Sequence, residues 1–370
     1  MPVHPFADTS AHTAHPATEG SAVGRSHGVR SNRRPGRRVV VGAAAALLTV
    51  AIGGCATTND AGSGAVTAAP QTSADTASDA GFPVTVETPS GVVTVEKKPS
   101  RIVSLSPSAT ETLFAIGAGP QVSAVDKFST YPTEAPTTTL SGFEPNIEAI
   151  IATKPDLLVI ANDTGGLVDA MKRVNVPVII SDAPTTIDGG YAGMDVLGRA
   201  TGNVEKATQE VARIKSEVAE AMAKAPTSVN PPIRVYHEVD PSLVGASSNG
   251  FVGSVYTSMG AMNIADAADT AKTGYPKLTE EAIVAADPQL IVITDMTGVT
   301  AADIAKRPGW ANISAVKNKH IVTVNADIAS RWGPRMPQFV TQVAEALSSV
   351  ANSTVSTSPA SVPAPAKSAA

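Results

Sequence analysis

EAIIATKPDLLVI at 148–160 and EAIVAADPQLIVI at 281–293 are two copies of one segment, with identity at Glu, Ala, Ile, Ala, Pro, Leu, Val and Ile, each at the same interval. Each copy begins as a helical stretch on a glutamate and ends, past a proline, in a β-branched run. A repeated unit of this kind predicts two lobes of one design. Further β-branched runs at 101–105, 122–126, 177–181, 233–237 and 321–325 alternate with helical stretches. Strands alternating with helices predict parallel sheets covered on both faces.

Between the copies the pattern changes. Val204, Ala207, Val211, Ile214, Val218 and Ala221 recur at spacings of three and four, with charged residues on the remaining positions. This spacing predicts one amphipathic helix. Gly202-Asn203 precedes it and Pro226 stops it, so it runs for about 20 residues and ~30 Å. A core helix of the first lobe and a coiled-coil surface are the other readings, but its place between repeated lobes suits a rod joining them. No Pro or Gly interrupts 204–224, and an unbroken helix resists bending. Small lobe rocking is therefore expected instead of wide closure. The expected fold class is α/β, with two lobes, each a parallel-type sheet flanked by helices, joined by one long α-helix, and a ligand cleft between them.

Outward from this body, the ends read differently. The chain has 370 residues, too many for one compact core, and a net charge of −5. Six arginines and two acids lie in 1–54, which leaves 22 basic and 31 acidic residues for the rest. So acidic a body excludes a phosphate-backbone partner, and no nucleic acid is expected. Four of the six histidines also lie in 1–54, leaving His237 and His320 beside the single Cys55. That set forms neither a His/Cys zinc site nor an intrachain disulfide.

Residues 39–54 form an uncharged apolar run after the paired arginines Arg33-Arg34 and Arg37-Arg38. The run is shorter than the about 20 residues of a membrane span and reads as an export signal. It ends in Ile52-Gly53-Gly54-Cys55, which resembles the lipobox of bacterial lipoproteins, with lipid carried on Cys55. An ordinary thiol is the plain alternative. The paired arginines also resemble a twin-arginine leader but depart from it in the residues that follow, so the export route stays open. The expected organisation is an export signal at 1–54, a flexible Ala/Thr/Ser/Gly tether at 55–83, lobe 1 at 84–202, the bridging helix at 203–225, lobe 2 at 226–350 and a disordered Ser/Pro/Ala-rich tail at 351–370.

In open parallel sheets, ligands lie beyond the carboxyl ends of the strands. The segment after the first strand holds Ser108 and Glu111, spaced as an S-x-x-E capping box. Lys127, Phe128 and Tyr131 follow the second strand, and Phe143 precedes the first repeat copy. His237 and Glu238 follow the strand after the long helix, Tyr275 lies in a Gly-Tyr-Pro turn, and Asp327, Arg331 and Trp332 follow the last strand. Aromatic residues are only 4% of the chain, so their place in these loops suits the wall of a large ligand, with core packing as the alternative for any one of them. His237 has no companion histidine and is either structural or a haem ligand. There is no G-x-S-x-G, H-E-x-x-H or phosphate-cradling loop, so no enzyme is expected.

The opening at 101–119, RIVSLSPSATETLFAIGAG, the repeat with Lys154-Pro155-Asp156, the pair Glu280-Glu281 and the closing SRWGPR at 330–335 together resemble the helix-bridged substrate-binding proteins of ABC importers for ferric siderophores, haem or cobalamin. The resemblance covers about 84–349. It implies a monomeric lipoprotein that captures a metal chelate, cobalamin or a ferric siderophore with haem as the alternative, and needs no other cofactor. An enzyme or adhesion module on the same scaffold is the alternative from another class. The partner would be an ABC permease dimer with its ATPase, docked through Glu148 and Glu281. Phe128 and Tyr275 match aromatic ligand positions, and Asp327 with Arg331 matches a polar pair reaching the ligand from lobe 2. Phe143, after Gly142, stands where a cobalamin binder has tryptophan. Arg331 and Arg335 also read as a surface couple pairing with acids.

Overall fold

The computed structural model describes residues 81–226 and 229–356. The export signal, Cys55 with its lipobox, the tether up to residue 80 and the chain from 357 onward lie outside the described residues.

The body opens with an antiparallel hairpin of β1 (Val84–Thr88) and β2 (Gly91–Val95), which the sequence pattern does not announce. Phe82, assigned above to the tether, already packs on the core. Lobe 1 continues through β3 (Ile102–Leu105), α1 (Pro107–Ala115), β4 (Val122–Val125), α2 (Ile147–Ala152), β5 (Leu157–Ile160), α3 (Leu167–Arg173), β6 (Val178–Ile180) and α4 (Ile187–Thr201). Its sheet is parallel with order β4-β3-β5-β6. Successive strand residues point to opposite faces. Ile102, Leu157 and Val159 therefore join the inner cluster with α1 and α4, while Val103, Leu158 and Ile160 meet α2 and α3 on the outside.

The bridging helix α5 (Val204–Met222) lies within the expected span. Lobe 2 holds β7 (Arg234–Asp240), β8 (Val244–Gly245), α6 (Phe251–Ser258), β9 (Met262–Asn263), α7 (Glu280–Ala286), β10 (Leu290–Thr294), α8 (Ala301–Lys306), α9 (Ser314–Lys317), β11 (Ile321–Val324), α10 (Ala326–Ala329) and α11 (Met336–Ser356). Its sheet runs β11-β10-β7-β8, with β9 also on β7 and β8 antiparallel. The inner cluster is continuous across both lobes, and α5 contributes Ala207, Val211, Ile214, Val218 and Ala221 to it. Val204, the first residue of the expected stripe, is at the helix start and half exposed.

The repeat is structural as well as sequential. Asn146 caps α2 by accepting from the Ala149 amide, and Thr279 caps α7 by accepting from the Ala282 amide, at matching positions. Lys154 and Asp287 both adopt positive φ, 54° and 44°, before the shared proline. Arg101 donates to the carbonyls of Thr153 and Lys154 at the end of α2, and Arg234 to those of Ala286 and Asp287 at the end of α7. A guanidinium at each helix C-terminus also favours the dipole. The two arginines extend the repeat beyond the copied segments.

Two expectations are corrected. Residues 351–356 are helix, not tail: Val340, Val343, Ala344, Leu347 and Val350 carry a buried stripe to the end of α11, and Ala351 still packs on the core. The Ser and Asn content of this stretch hides a turn that tertiary packing holds. His237 does not face a ligand cleft. The strand expected to end there runs on to Asp240, so His237 and Glu238 lie inside β7. His237 is 2% exposed, its Nδ1 is 2.8 Å from the Tyr256 hydroxyl, and its ring meets Tyr256 and Phe339 edge to face.

Burial pushes the His237 pKa down to about 3. The unfolded chain takes up a proton near pH 6.5 that the native state refuses, so this group's contribution to stability is full above about pH 6.5 and falls by up to ~1.4 kcal/mol per pH unit below it. Denaturant unfolding at pH 7, 6 and 5 is expected to show a shallower loss for His237→Asn than for the parent chain. Equal slopes would refute the assignment.

Candidate functional site

The segments beyond the carboxyl ends of β4 and β11 carry Phe128, Phe143, Asp327 and Arg331. In lobe 1, Asp126 follows β4 nearly fully buried and accepts from the Ser129 hydroxyl at 2.6 Å. Ser129 in turn meets Thr110, which donates to Ser104, so buried hydroxyl groups tie α1, β3 and the loop together. Burial raises the Asp126 carboxyl above its ordinary range, against the Ser129 bond, and its Oδ2 has no partner. The Lys127 amide donates to the Leu140 carbonyl, drawing the 127–131 loop onto the 140–144 loop. A Cβ at Gly142 would sit 2.4 Å from the Leu105 carbonyl oxygen, so only glycine lets the second loop press on the end of β3. The result is that Phe128 and Phe143 meet edge to face, centroids 5.3 Å apart at 80°, with Phe143 56% exposed. Lys127 lies over the Phe128 ring at 5.0 Å.

In lobe 2, Asp295 after β10 accepts from Asn325 and the Ala326 amide, which fixes the start of α10. Asp327 then stands in its first turn, and Arg331 one turn on donates to it at 2.7 Å. The Tyr275 turn is held by Asp269, which accepts from Ser247, Asn249, the Thr273 hydroxyl and the amides of Thr273 and Gly274. Burial alone would raise this carboxyl, but the hydrogen bonds hold it far below the usual range. Gly274 has φ +82°, and a Cβ there would meet the Gly250 backbone. Tyr275 is half-buried against the inner cluster, which raises its pKa.

The structure thus joins Phe128 with Phe143 and Asp327 with Arg331, and holds Tyr275 in a turn of its own. The expected capping box at Ser108 is not formed: Ser106 caps α1, and Glu111 turns away to pair with Arg335. Arg335 is therefore not a surface residue, and its guanidinium lies 4.4 Å from the Tyr131 ring centre. Glu238 pairs through both oxygens with Arg307. Met296, shortly after β10, is 61% exposed. A separate open groove of about 1110 Å³ runs along α5 between Thr185–Tyr191 and Ser248, Asn249 and Lys272, and none of the expected ligand residues lines it. Among the described residues no cluster of three His, Cys, Asp or Glu can hold a metal ion.

Glu148 and Glu281 are both exposed and occupy the same position in the first turns of α2 and α7. Hydrogen bonding to the Thr279 side chain and its own backbone lowers the Glu281 carboxyl.

The family model described as periplasmic binding protein matches residues 102–328. An uncharacterized ABC transporter substrate-binding lipoprotein of Bacillus subtilis, YvrC, is 35% identical over 276 residues, which is 72% of this chain and 86% of that one. A cobalamin-binding protein of Halobacterium salinarum is 31% identical over 72% of this chain and 74% of its own. Among solved structures, a possible iron-binding (periplasmic solute-binding) protein of Staphylococcus epidermidis superposes with a TM-score of 0.59 at 27% identity, covering 68% of this chain and 99% of that one. Matched in sequence across both lobes and in architecture, the chain belongs to the periplasmic binding protein family.

Proposed function

We propose that this protein is an extracytoplasmic, lipid-anchored receptor that binds a cobalamin-class chelate between its lobes and delivers it to an ABC permease dimer with its ATPase. The observation that carries the reading is the Phe128–Phe143 pair: two aromatic rings, one of them mostly exposed, held by built loops at the carboxyl ends of a parallel sheet. A large ligand is held mainly by shape and apolar area with a few polar groups, and Asp327 with Arg331 supplies such groups from lobe 2. Tyr275 adds a third ring. The Halobacterium relative, named a cobalamin-binding protein, supports the ligand class. The cobalt is cargo, no resident cofactor is needed, and the chain acts as a binder and not as an enzyme. With His237 in the core, a haem reading has no axial ligand from that residue.

Docking is assigned to Glu148 and Glu281. Their equivalent places on two repeated lobes suit a permease whose two halves present matching arginines, each able to clasp a carboxylate through two hydrogen bonds. The plain alternative is that each acid only favours its helix dipole.

Three measurements test the reading. Cyanocobalamin is expected to quench Trp332, beside Arg331, and Phe143→Ala is expected to weaken its binding about tenfold, a loss of ~1.4 kcal/mol. No response to cyanocobalamin, with saturable quenching by haemin or a hydroxamate siderophore, would move the ligand class. The Glu148→Ala/Glu281→Ala double variant is expected to keep ligand affinity and lose uptake, the two sites contributing additively, whereas undiminished uptake leaves only the dipole role. Cys55→Ser is expected to release the protein from the membrane fraction into the medium, since stable attachment takes more than one acyl chain, and retention would rule out the anchor.

A further inference from the structure

Glu111 and Arg335 lie 224 residues apart and in different lobes, Glu111 on α1 and Arg335 just before α11. Their side chains are 2% and 16% exposed. Arg335 Nε donates to Glu111 Oε2 at 2.9 Å, and a terminal nitrogen donates to Oε1 at 2.5 Å. This fork fixes direction as well as distance. By contrast, Arg307–Glu238 and Arg331–Asp327 stay within lobe 2, and Arg213–Glu210 stays within α5.

Three neighbours make the contact a seam. The Arg335 guanidinium lies over Tyr131 of lobe 1. Arg213 of α5 donates to the Pro334 carbonyl at 3.2 Å. A Cβ on Gly333 would stand 3.3 Å from the Thr112 hydroxyl and 3.5 Å from the Ser108 carbonyl, so the chain before α11 lies directly on α1. This explains why α1 buries Ser108, Glu111 and Thr112, polar residues that a core-facing helix would not select. Burial pushes the Glu111 carboxyl up while Arg335 pulls it back, and Asp327 and Arg331 are near enough to act on it too.

We propose that Glu111 is a positioning residue that, through Arg335, holds the 327–335 segment at a set distance from lobe 1 and so fixes the spacing of the two cleft walls before ligand arrives. A helix joining the lobes resists bending but leaves them a rocking motion. A fork that bridges them removes much of that freedom. Removing one partner leaves the other charge buried and uncompensated, so the segment must move to rehydrate it. The effect on ligand binding rests on the role proposed above for Asp327 and Arg331. The effect on lobe spacing does not.

The test is a pair of spin labels on the full chain with Cys55→Ser, one at exposed Val174 in lobe 1 and one at exposed Met262 in lobe 2, each through substitution by cysteine. Pulsed dipolar distances are measured without ligand in the parent, in Glu111→Gln and in Arg335→Lys, which keeps the charge but loses the fork. Circular dichroism verifies folding, and either variant alone is decisive. The expected result is an interlobe distance distribution widened about twofold, of the order of small lobe rocking, with cyanocobalamin affinity lowered about tenfold through lost preorganisation. A purely local role lowers the melting temperature and leaves the distribution unchanged, and that result overturns the proposal. A widened distribution in a chain whose parent does not bind cyanocobalamin upholds the tie and overturns only the ligand reading.

Discussion

The rest of the structure depends on the apolar face of α5. Ala207, Val211, Ile214, Val218 and Ala221 are buried where α4 of lobe 1 and α11 of lobe 2 both meet that face. Each side chain is small or β-branched, so the neighbouring helices approach closely. Ala207 illustrates the limit, since a Cβ on Gly198 of α4 would stand only 2.4 Å from its methyl group. Burial at about 25 cal/mol per Å² of apolar surface makes this seam part of one core and not a linker between two. The inner cluster accordingly runs without a break from Val86 in the first hairpin to Val350 in the last helix. Lobes that share a core cannot swing freely.

On that frame the site is assembled by carboxylates that are not themselves displayed. Asp126 holds the end of β4, Asp269 the Tyr275 turn and Asp295 the start of α10. Asp269 and Asp295 accept from backbone amides and so replace missing backbone partners, while Asp126 takes a loop hydroxyl, which is how irregular chain is kept still without regular structure. The Phe128–Phe143 pair and the Asp327–Arg331 pair are then held by their supports with little freedom left. Glu111 and Arg335 extend the same logic across the lobe boundary.

Legibility in the sequence follows interaction range. The strands at 157–160 and 290–294 were read to the residue, because a fully buried strand between two helical layers is apolar at every position and its neighbours are turn residues. The hairpin at 84–95 and the two-residue strands β8 and β9 were not, since too few residues repeat to show a period. Phe128, Asp327 and Arg331 were placed after strands because strand ends can be counted from sequence, and the structure keeps them there. His237 was misplaced by three residues of strand, enough to turn a loop residue into a core one. Ser108 and Glu111 imitated a capping box, and the spacing alone carried no sign that Arg335 would claim the acid.

The sequence by itself determined the two-lobe α/β plan, the repeated unit and the bridging helix. These follow from periodicity and from local backbone preference, which act over a few residues. Only the tertiary structure decided which polar groups meet. Glu111 joined Arg335, His237 joined Tyr256, and 351–356 joined a helix, because the free energy of a buried charge, ring or turn depends on partners that the fold brings together, 224 residues apart for the first pair and 19 for the second.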